Sequence, residues 1–295
     1  MGRGSTIGFV GTGVMGASMA GHLLTAGYRL RVHNRTAERA GALVERGAEW
    51  CDQPWEVAEG AAAVVTMVGY PSDVDSLYLG TGRLAETAEP GTVLIDMTTS
   101  SPSLAVRVHD AAATRGVRVL DAPVSGGDVG AREARLTIMV GGDEDAFAEA
   151  ESMLRVMGPN VVLQGPAGCG QHTKMSNQLA IAGCMIGVCE ALAYAEAAGL
   201  DPARVLDSIG AGSAASWSLA NYAPRMLAGD FAPGFYVKHF IKDLRIAVES
   251  AADMGADVPG AALALALYER LAQRGGSEMG THALYLLYKE HAAGT

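Results

Sequence analysis

Between residues 6 and 165, short apolar runs rich in β-branched residues alternate with stretches of helical spacing; past Gly165 that alternation stops. The strand-like runs are Thr6–Val10, Leu30–His33, Ala63–Val68, Val93–Asp96, Val117–Leu120, Leu136–Val140 and Val161–Gln164. Helical periodicity occupies Met15–Ala26, Ala37–Arg46, Pro102–Arg115 and Asp145–Met157. Such alternation predicts a parallel, doubly wound α/β sheet with helices on both faces and right-handed crossovers. From Gly165 onward, Ala, Leu and Met recur at helical spacing to the end. A long helix is expected over 171–198, closed by Gly199 at C′, with Asp201-Pro202 then serving as N-cap and N1 of the next. Further helices are expected over 202–210, 216–228, 238–254, 258–273 and 281–291. The reading is therefore an α/β domain over 1–165 and an all-α domain over 166–295, joined by the long helix.

Composition narrows the function classes. The balance of 22 basic against 32 acidic residues, net −10, argues against a dedicated nucleic-acid binder. Four cysteines (Cys51, Cys169, Cys184, Cys189) form no CxxC pair and have no metal-ligand spacing with histidine, so free thiols in a reducing cytoplasm and no metal site are expected. Met1-Gly2 with Thr6 fits a myristoylation pattern, set against a short frayed terminus beside the first strand. The most apolar run, Leu179–Cys189, is shorter than the roughly 20 residues of a membrane span, and no membrane association is expected.

Gly11-Thr12-Gly13-Val14-Met15-Gly16 follows an apolar strand and opens a helix. In that context Gly11 permits the tight turn, Gly13 admits a pyrophosphate to the backbone, and Gly16 packs the helix on the sheet. The helix N-terminus faces the anion, as in a Rossmann-type domain. At the end of the second strand, where a carboxylate would hold the ribose of NAD, the chain has Asn34-Arg35-Thr36. Arg35 can take a 2′-phosphate, and no carboxylate repels it; it can equally be a solvated residue at a helix start. NADP is expected, with NAD possible.

Three later segments carry candidate chemistry. In Asp121-Ala122-Pro123-Val124-Ser125-Gly126-Gly127, the serine hydroxyl and successive N–H groups can cradle a carboxylate, or form an ordinary turn. The long helix begins Gly168-Cys169-Gly170-Gln171-His172-Thr173-Lys174, and the fifteen residues after Lys174 bear no formal charge. A buried lysine has a lowered pKa and becomes a usable acid/base; a lysine near a helix end can also snorkel. The third segment, Lys238-His239-Phe240-Ile241-Lys242-Asp243-Leu244, contains a charged pair that reads equally as a solvated helix face.

Taken in order, these motifs resemble the β-hydroxyacid dehydrogenase family, the 3-hydroxyisobutyrate dehydrogenase and tartronate semialdehyde reductase group. The resemblance runs from Ile7 to Tyr288. It rests on Phe9 to Gly16 with Met19 and His22, Asp96-Met97-Thr98-Thr99, DAPVSGG at 121–127, the Gly-x-Gly-x-x-x-Lys helix, and KDL at 242–244. It implies Lys174 as catalytic acid/base and Ser125, Gly126 and Gly127 as holders of a substrate carboxylate. It places Thr99 by the nicotinamide ribose, Lys242 near the cofactor, Val68-Gly69 along the adenosine side, and Trp217 and Tyr222 against the substrate. The family usually has Asn four residues after the lysine; here Gln178 stands there, after Asn177, and either amide could orient the reacting oxygen.

The implied reaction is reversible hydride transfer between nicotinamide and a short 3-hydroxy acid or its semialdehyde. Glyoxylate, succinic, tartronate and methylmalonate semialdehydes and serine-like acids stay open as substrates. A 6-phosphogluconate dehydrogenase has a longer helical domain, and an imine reductase normally lacks the lysine. A non-catalytic NADP-binding protein would be expected to have lost Lys174 or Ser125. The resemblance also implies a homodimer or homotetramer, with Leu179–Cys189 covered partly by the first domain and partly by another subunit.

Overall fold

The computed structural model describes residues 1–80 and 83–292 and divides into two compact units, Met1–Lys174 and Met175–Thr295. In the first unit lie β1 (Thr6–Val10), β2 (Arg29–His33), β3 (Glu49–Trp50), β4 (Ala63–Thr66), β5 (Val93–Asp96), β6 (Arg118–Asp121), β7 (Val124–Ser125), β8 (Thr137–Gly142) and β9 (Asn160–Gly165). They form one sheet in the order β3-β2-β1-β4-β5-β6-β8-β7, with β9 paired to β8. From β3 to β6 all neighbours are parallel.

The far side of the sheet departs from the all-parallel expectation. Strand β8 runs antiparallel to β6 and β7, and β9 is parallel to β8. Between β6 and β8 there is no full crossover, only β7 and the short helix Gly127–Arg132, so the chain returns in the opposite direction.

The helices that accompany these strands among the described residues are α1 (Gly16–Thr25), α2 (Gly41–Glu45), α3 (Pro71–Leu79), α4 (Leu84–Thr87), α5 (Pro102–Ala113), α6 (Gly127–Arg132) and α7 (Glu144–Leu154). The period of two along the strands feeds two cores. Ile7, Phe9, Ala63, Val65, Val93 and Ile95 pack with Met19 and Leu23 of α1 and with Met153 and Leu154 of α7. Val10, Val64 and Leu94 face the other way, toward Val74 and Tyr78 of α3 and Leu104 and Val108 of α5. Burial on both faces explains why these strands read as continuous apolar runs. Residues 37–46, expected as one helix, are a 3-10 turn (Ala37–Ala40) followed by α2. Strand β4 ends at Thr66, two residues short of the expected Val68.

Helix α8 spans Cys169–Ala197 and ends on a Schellman motif: Gly199 (φ +70°) donates to Glu196 O and Leu200 to Ala195 O. The second unit continues with α9 (Pro202–Gly210), α10 (Trp217–Leu227), α11 (Val237–Asp253), α12 (Pro259–Gln273), a 3-10 turn (Thr281–Tyr285) and α13 (Leu286–Ala292). Asp201 caps α9 through Ala203 N, with Pro202 at N1. The core of this unit joins Ala182, Met185, Cys189 and Leu192 of α8 to Phe240 and Leu244 of α11 and Tyr268 of α12. By length and hydropathy α8 could cross a membrane, yet one side of it forms this core. In the single chain Ala180, Gly183, Cys184 and Gly187 of α8 are exposed.

Candidate active site

The glycine turn after β1 is shaped by what surrounds it. Gly11 has φ +97°, and a Cβ there would lie 2.2 Å from Met67 O. At Gly16 a Cβ would lie 1.9 Å from Gly11 O, so the start of α1 sits directly on the turn. Gly13 is different: nothing lies within 4 Å of its Cβ position, so its backbone faces open space. Helix α1 has no capping side chain and no acid in its first turn; Ala17 N donates to Gly13 O at 3.1 Å, and the positive end of the helix at the turn favours an anion. Thr12 is buried, and among the described residues its Oγ1 has no hydrogen-bond partner. Val14 is exposed and Met15 half-buried. An open glycine edge, the positive end of a helix and an orphaned hydroxyl fit a dinucleotide pyrophosphate.

The end of β2 closes over this turn. Asn34 Oδ1 accepts from Thr12 N at 3.0 Å, and Asn34 Nδ2 donates to Thr36 O at 2.8 Å. The Arg35 side chain is 88% exposed and lies 3.5 Å from Asp73 Oδ1. Asp73 caps α3 by accepting from Tyr70 N at 3.0 Å; the Tyr-Pro-Ser-Asp pattern marks this helix start, which apolar spacing alone does not reveal. Val68 and Gly69 are half-buried, and Val68 N donates to Thr98 Oγ1 at 3.0 Å. It is thus Thr98 that ties the two loops; Thr99 next to it is half-buried.

Ser125 ends the edge strand β7 and precedes two glycines at positive φ, Gly126 (+136°) and Gly127 (+64°). A side chain at either would be strained, and the turn offers successive N–H groups at the start of α6.

Two polar side chains anchor the start of α8. Asp121, at the end of β6, is buried; its Oδ1 accepts from Gly168 N and its Oδ2 from Gln171 N, both at 2.8 Å. Burial raises its carboxyl to about pH 6, although these two backbone donors pull the other way. Gln171 is fully buried, accepts from Ser100 N at 2.9 Å and donates to Thr98 O at 2.8 Å. One turn beyond Gln171 is Lys174, which is 6% exposed.

In the second unit Gln178 is buried and its amide is engaged at both ends. Asn177 Nδ2 donates to Gln178 Oε1 at 2.8 Å, and Gln178 Nε2 donates to Asp243 Oδ2 at 2.6 Å. Asp243 Oδ1 lies 3.0 Å from Lys242 Nζ in a mostly buried ion pair, so Lys242-Asp243 is not a solvated helix face. A separate cluster holds Trp217 and Tyr222. Exposed Trp217 meets Tyr222 edge-on at 5.1 Å, and Tyr222 stacks on His282 at 4.7 Å. Trp217 lines a surface cavity with Leu206, Asp207, Asn221 and Pro224.

Residues 6–165 match the family model for the NAD-binding domain of 6-phosphogluconate dehydrogenase, and 168–288 match that for the NAD-binding region of NADP-dependent 3-hydroxyisobutyrate dehydrogenase. The chain is 46% identical over 282 residues to a probable mitochondrial 3-hydroxyisobutyrate dehydrogenase-like protein of Arabidopsis thaliana, covering 95% of this chain and 84% of that one. It is 37% identical over 279 residues to an NAD-dependent L-serine dehydrogenase of Pseudomonas aeruginosa, covering 92% and 94%. Among solved structures, a Mycobacterium tuberculosis 3-hydroxyisobutyrate dehydrogenase with L-serine superposes with a TM-score of 0.89 at 31% identity, covering 97% and 99%. The sheet order, the glycine turn and these matches agree: the chain belongs to the β-hydroxyacid dehydrogenase family of NAD(P)-dependent oxidoreductases.

Proposed function

We propose that this chain interconverts a short 3-hydroxy acid and its semialdehyde, with Lys174 as the acid/base. The observation that carries the reading is a lysine 6% exposed, one turn past a helix start held by two buried side chains. In the reductive direction Lys174 Nζ, as ammonium, gives its proton to the carbonyl oxygen. In the oxidative direction the neutral amine takes the hydroxyl proton. The bound nicotinamide supplies the hydride chemistry.

Ser125 and the N–H groups at Gly126 and Gly127 hold the substrate carboxylate, which fixes the reacting carbon. Because its amide is engaged by Asp243 and Asn177, Gln178 contributes by holding the Lys242–Asp243 pair, and its remaining N–H is what it has to offer an oxygen. The family resemblance is what suggests Trp217 and Tyr222 as residues that select the substituent on the acid. The family's L-serine and 3-hydroxyisobutyrate enzymes make those two acids the first candidates.

Exposed Arg35 favours NADP by meeting its 2′-phosphate, with Asn34 and Thr36 beside it. The protein is read as cytoplasmic and as a homodimer or homotetramer, the exposed Ala180, Gly183, Cys184 and Gly187 face of α8 serving as contact. Steady-state rates with L-serine, 3-hydroxyisobutyrate, glyoxylate and a set of semialdehydes, each with NADPH and NADH, test the reading. Turnover of a 3-hydroxy acid with the faster rate on the NADP side is expected. Turnover of none of them would overturn it.

A further inference from the structure

We propose that Asp121 is the positioning residue for Lys174, acting as an N-cap supplied in trans from strand β6 to the first turn of α8. The inference rests on the assignment of Lys174 as acid/base. Residue 168, the position just before the first helical residue Cys169, is glycine and has no side chain with which to cap the helix. The cap comes instead from 47 residues earlier: Asp121 Oδ1 takes Gly168 N and Oδ2 takes Gln171 N, each at 2.8 Å. These are the two donors that a capping box satisfies with two side chains, that of the N-cap for the N3 N–H and that of N3 for the N-cap N–H, and here a single carboxylate spans both.

The surroundings are built to admit that carboxylate. A Cβ on Gly141 of β8 would come within 2.6 Å of Asp121 Oδ1, and one on Gly170 within 2.4 Å of Asp121 O. Helix and sheet backbones therefore approach at closest range around Asp121. Gln171 adds a second tie, from Thr98 O and Ser100 N, to the loop following β5. Lys174 follows one turn later on the same rigid helix, so a displacement of the first turn carries its ammonium with it. A misplacement of about 1 Å at a reacting centre can cost on the order of a hundredfold in rate.

Asp121→Asn is the informative substitution, because an amide oxygen can accept only one of the two N–H groups while its NH2 opposes the other. Placed in a cycle with Lys174→Ala, it separates positioning from general stability. We expect Asp121→Asn to lower kcat at least tenfold with cofactor dissociation, read by NADPH fluorescence, within about threefold of wild type. In the Lys174→Ala background the same substitution should change kcat by less than about twofold. If the two losses multiply, Asp121 acts independently of Lys174 and the proposal falls; a kcat within twofold of wild type for Asp121→Asn would equally overturn it. Should Asp121→Asn fail to fold, Gln171→Met, which removes only the second tie, is put through the same cycle with the same expectation and the same refutation. A Lys174→Ala enzyme with wild-type kcat removes the acid/base assignment itself, and with it this inference. Loss of activity in Lys174→Ala beside an unaffected Asp121→Asn sinks the positioning role alone.

Discussion

The three glycines of the first turn should separate when each is replaced by alanine, because their surroundings differ. At Gly11 the backbone has φ +97°, which disfavours an L side chain by about 1–2 kcal/mol, and the new Cβ would lie 2.2 Å from Met67 O. Relieving that contact requires a backbone shift, comparable to overpacking at about 1–3 kcal/mol. Gly16→Ala meets the carbonyl of Gly11 at 1.9 Å and should be at least as disruptive. Against a total stability of about 5–15 kcal/mol, both should lower Tm by on the order of 10 °C. Gly13→Ala meets nothing within 4 Å and should leave Tm within about 2 °C, while its methyl occupies the space a pyrophosphate needs. Calorimetry without cofactor and NADPH fluorescence titration measure the two quantities separately; a Kd raised on the order of thirtyfold or more is expected for Gly13→Ala. Wild-type affinity in that variant, or a loss of Tm equal to that of Gly11→Ala, would refute the reading of this edge as the pyrophosphate site.

Arg35→Ala should raise KM for NADPH far more than for NADH, since its surface pair with Asp73, worth at most about 1 kcal/mol, leaves the guanidinium available to a phosphate; equal effects on both cofactors would refute the phosphate role. Asp121 holds its proton more tightly in the native state (about 6) than in the unfolded chain (3.8). The group therefore adds stability as pH falls through 6, rising to about 3 kcal/mol below 3.8 at 1.36 kcal/mol per tenfold change in proton affinity. In urea melts the wild type should gain about 1 kcal/mol over Asp121→Asn between pH 7.5 and 5, and an unchanged difference would contradict the burial argument. Light scattering at micromolar concentration should give a multiple of 30.4 kDa; a mass near one chain, unchanged on tenfold concentration, would end the oligomer proposal.

The centre of the parallel half was legible because β1, β4 and β5 are buried on both faces and read as continuous apolar runs. The helices of the second unit were legible through their punctuation: Gly199 at a C′ position and Asp201-Pro202 at the next start behave as their chemistry requires. The antiparallel turn at β8 was not, since β7 is two residues long and α6 six, too short for any period to register. The site was legible as motifs and opaque as bonds. Asp121 looks like one member of a turn sequence, and only the fold brings it to Gly168 and Gln171, 47 and 50 residues away. Gln178 looks like an amide aimed at substrate, while the structure spends it on Asp243, 65 residues on. Side-chain partners at such separations are set by tertiary packing, which local periodicity does not encode.

The acid/base assignment is the center of this account, and Lys174→Ala tests it most directly. Rates of NADPH oxidation with the best semialdehyde substrate, measured alongside NADPH dissociation constants, give the answer in one preparation. General acid–base catalysis is worth about 10²–10⁴-fold, so kcat should fall by that factor with cofactor affinity close to wild type. A variant that turns over within about threefold of the wild-type rate would show that the proton travels by another group.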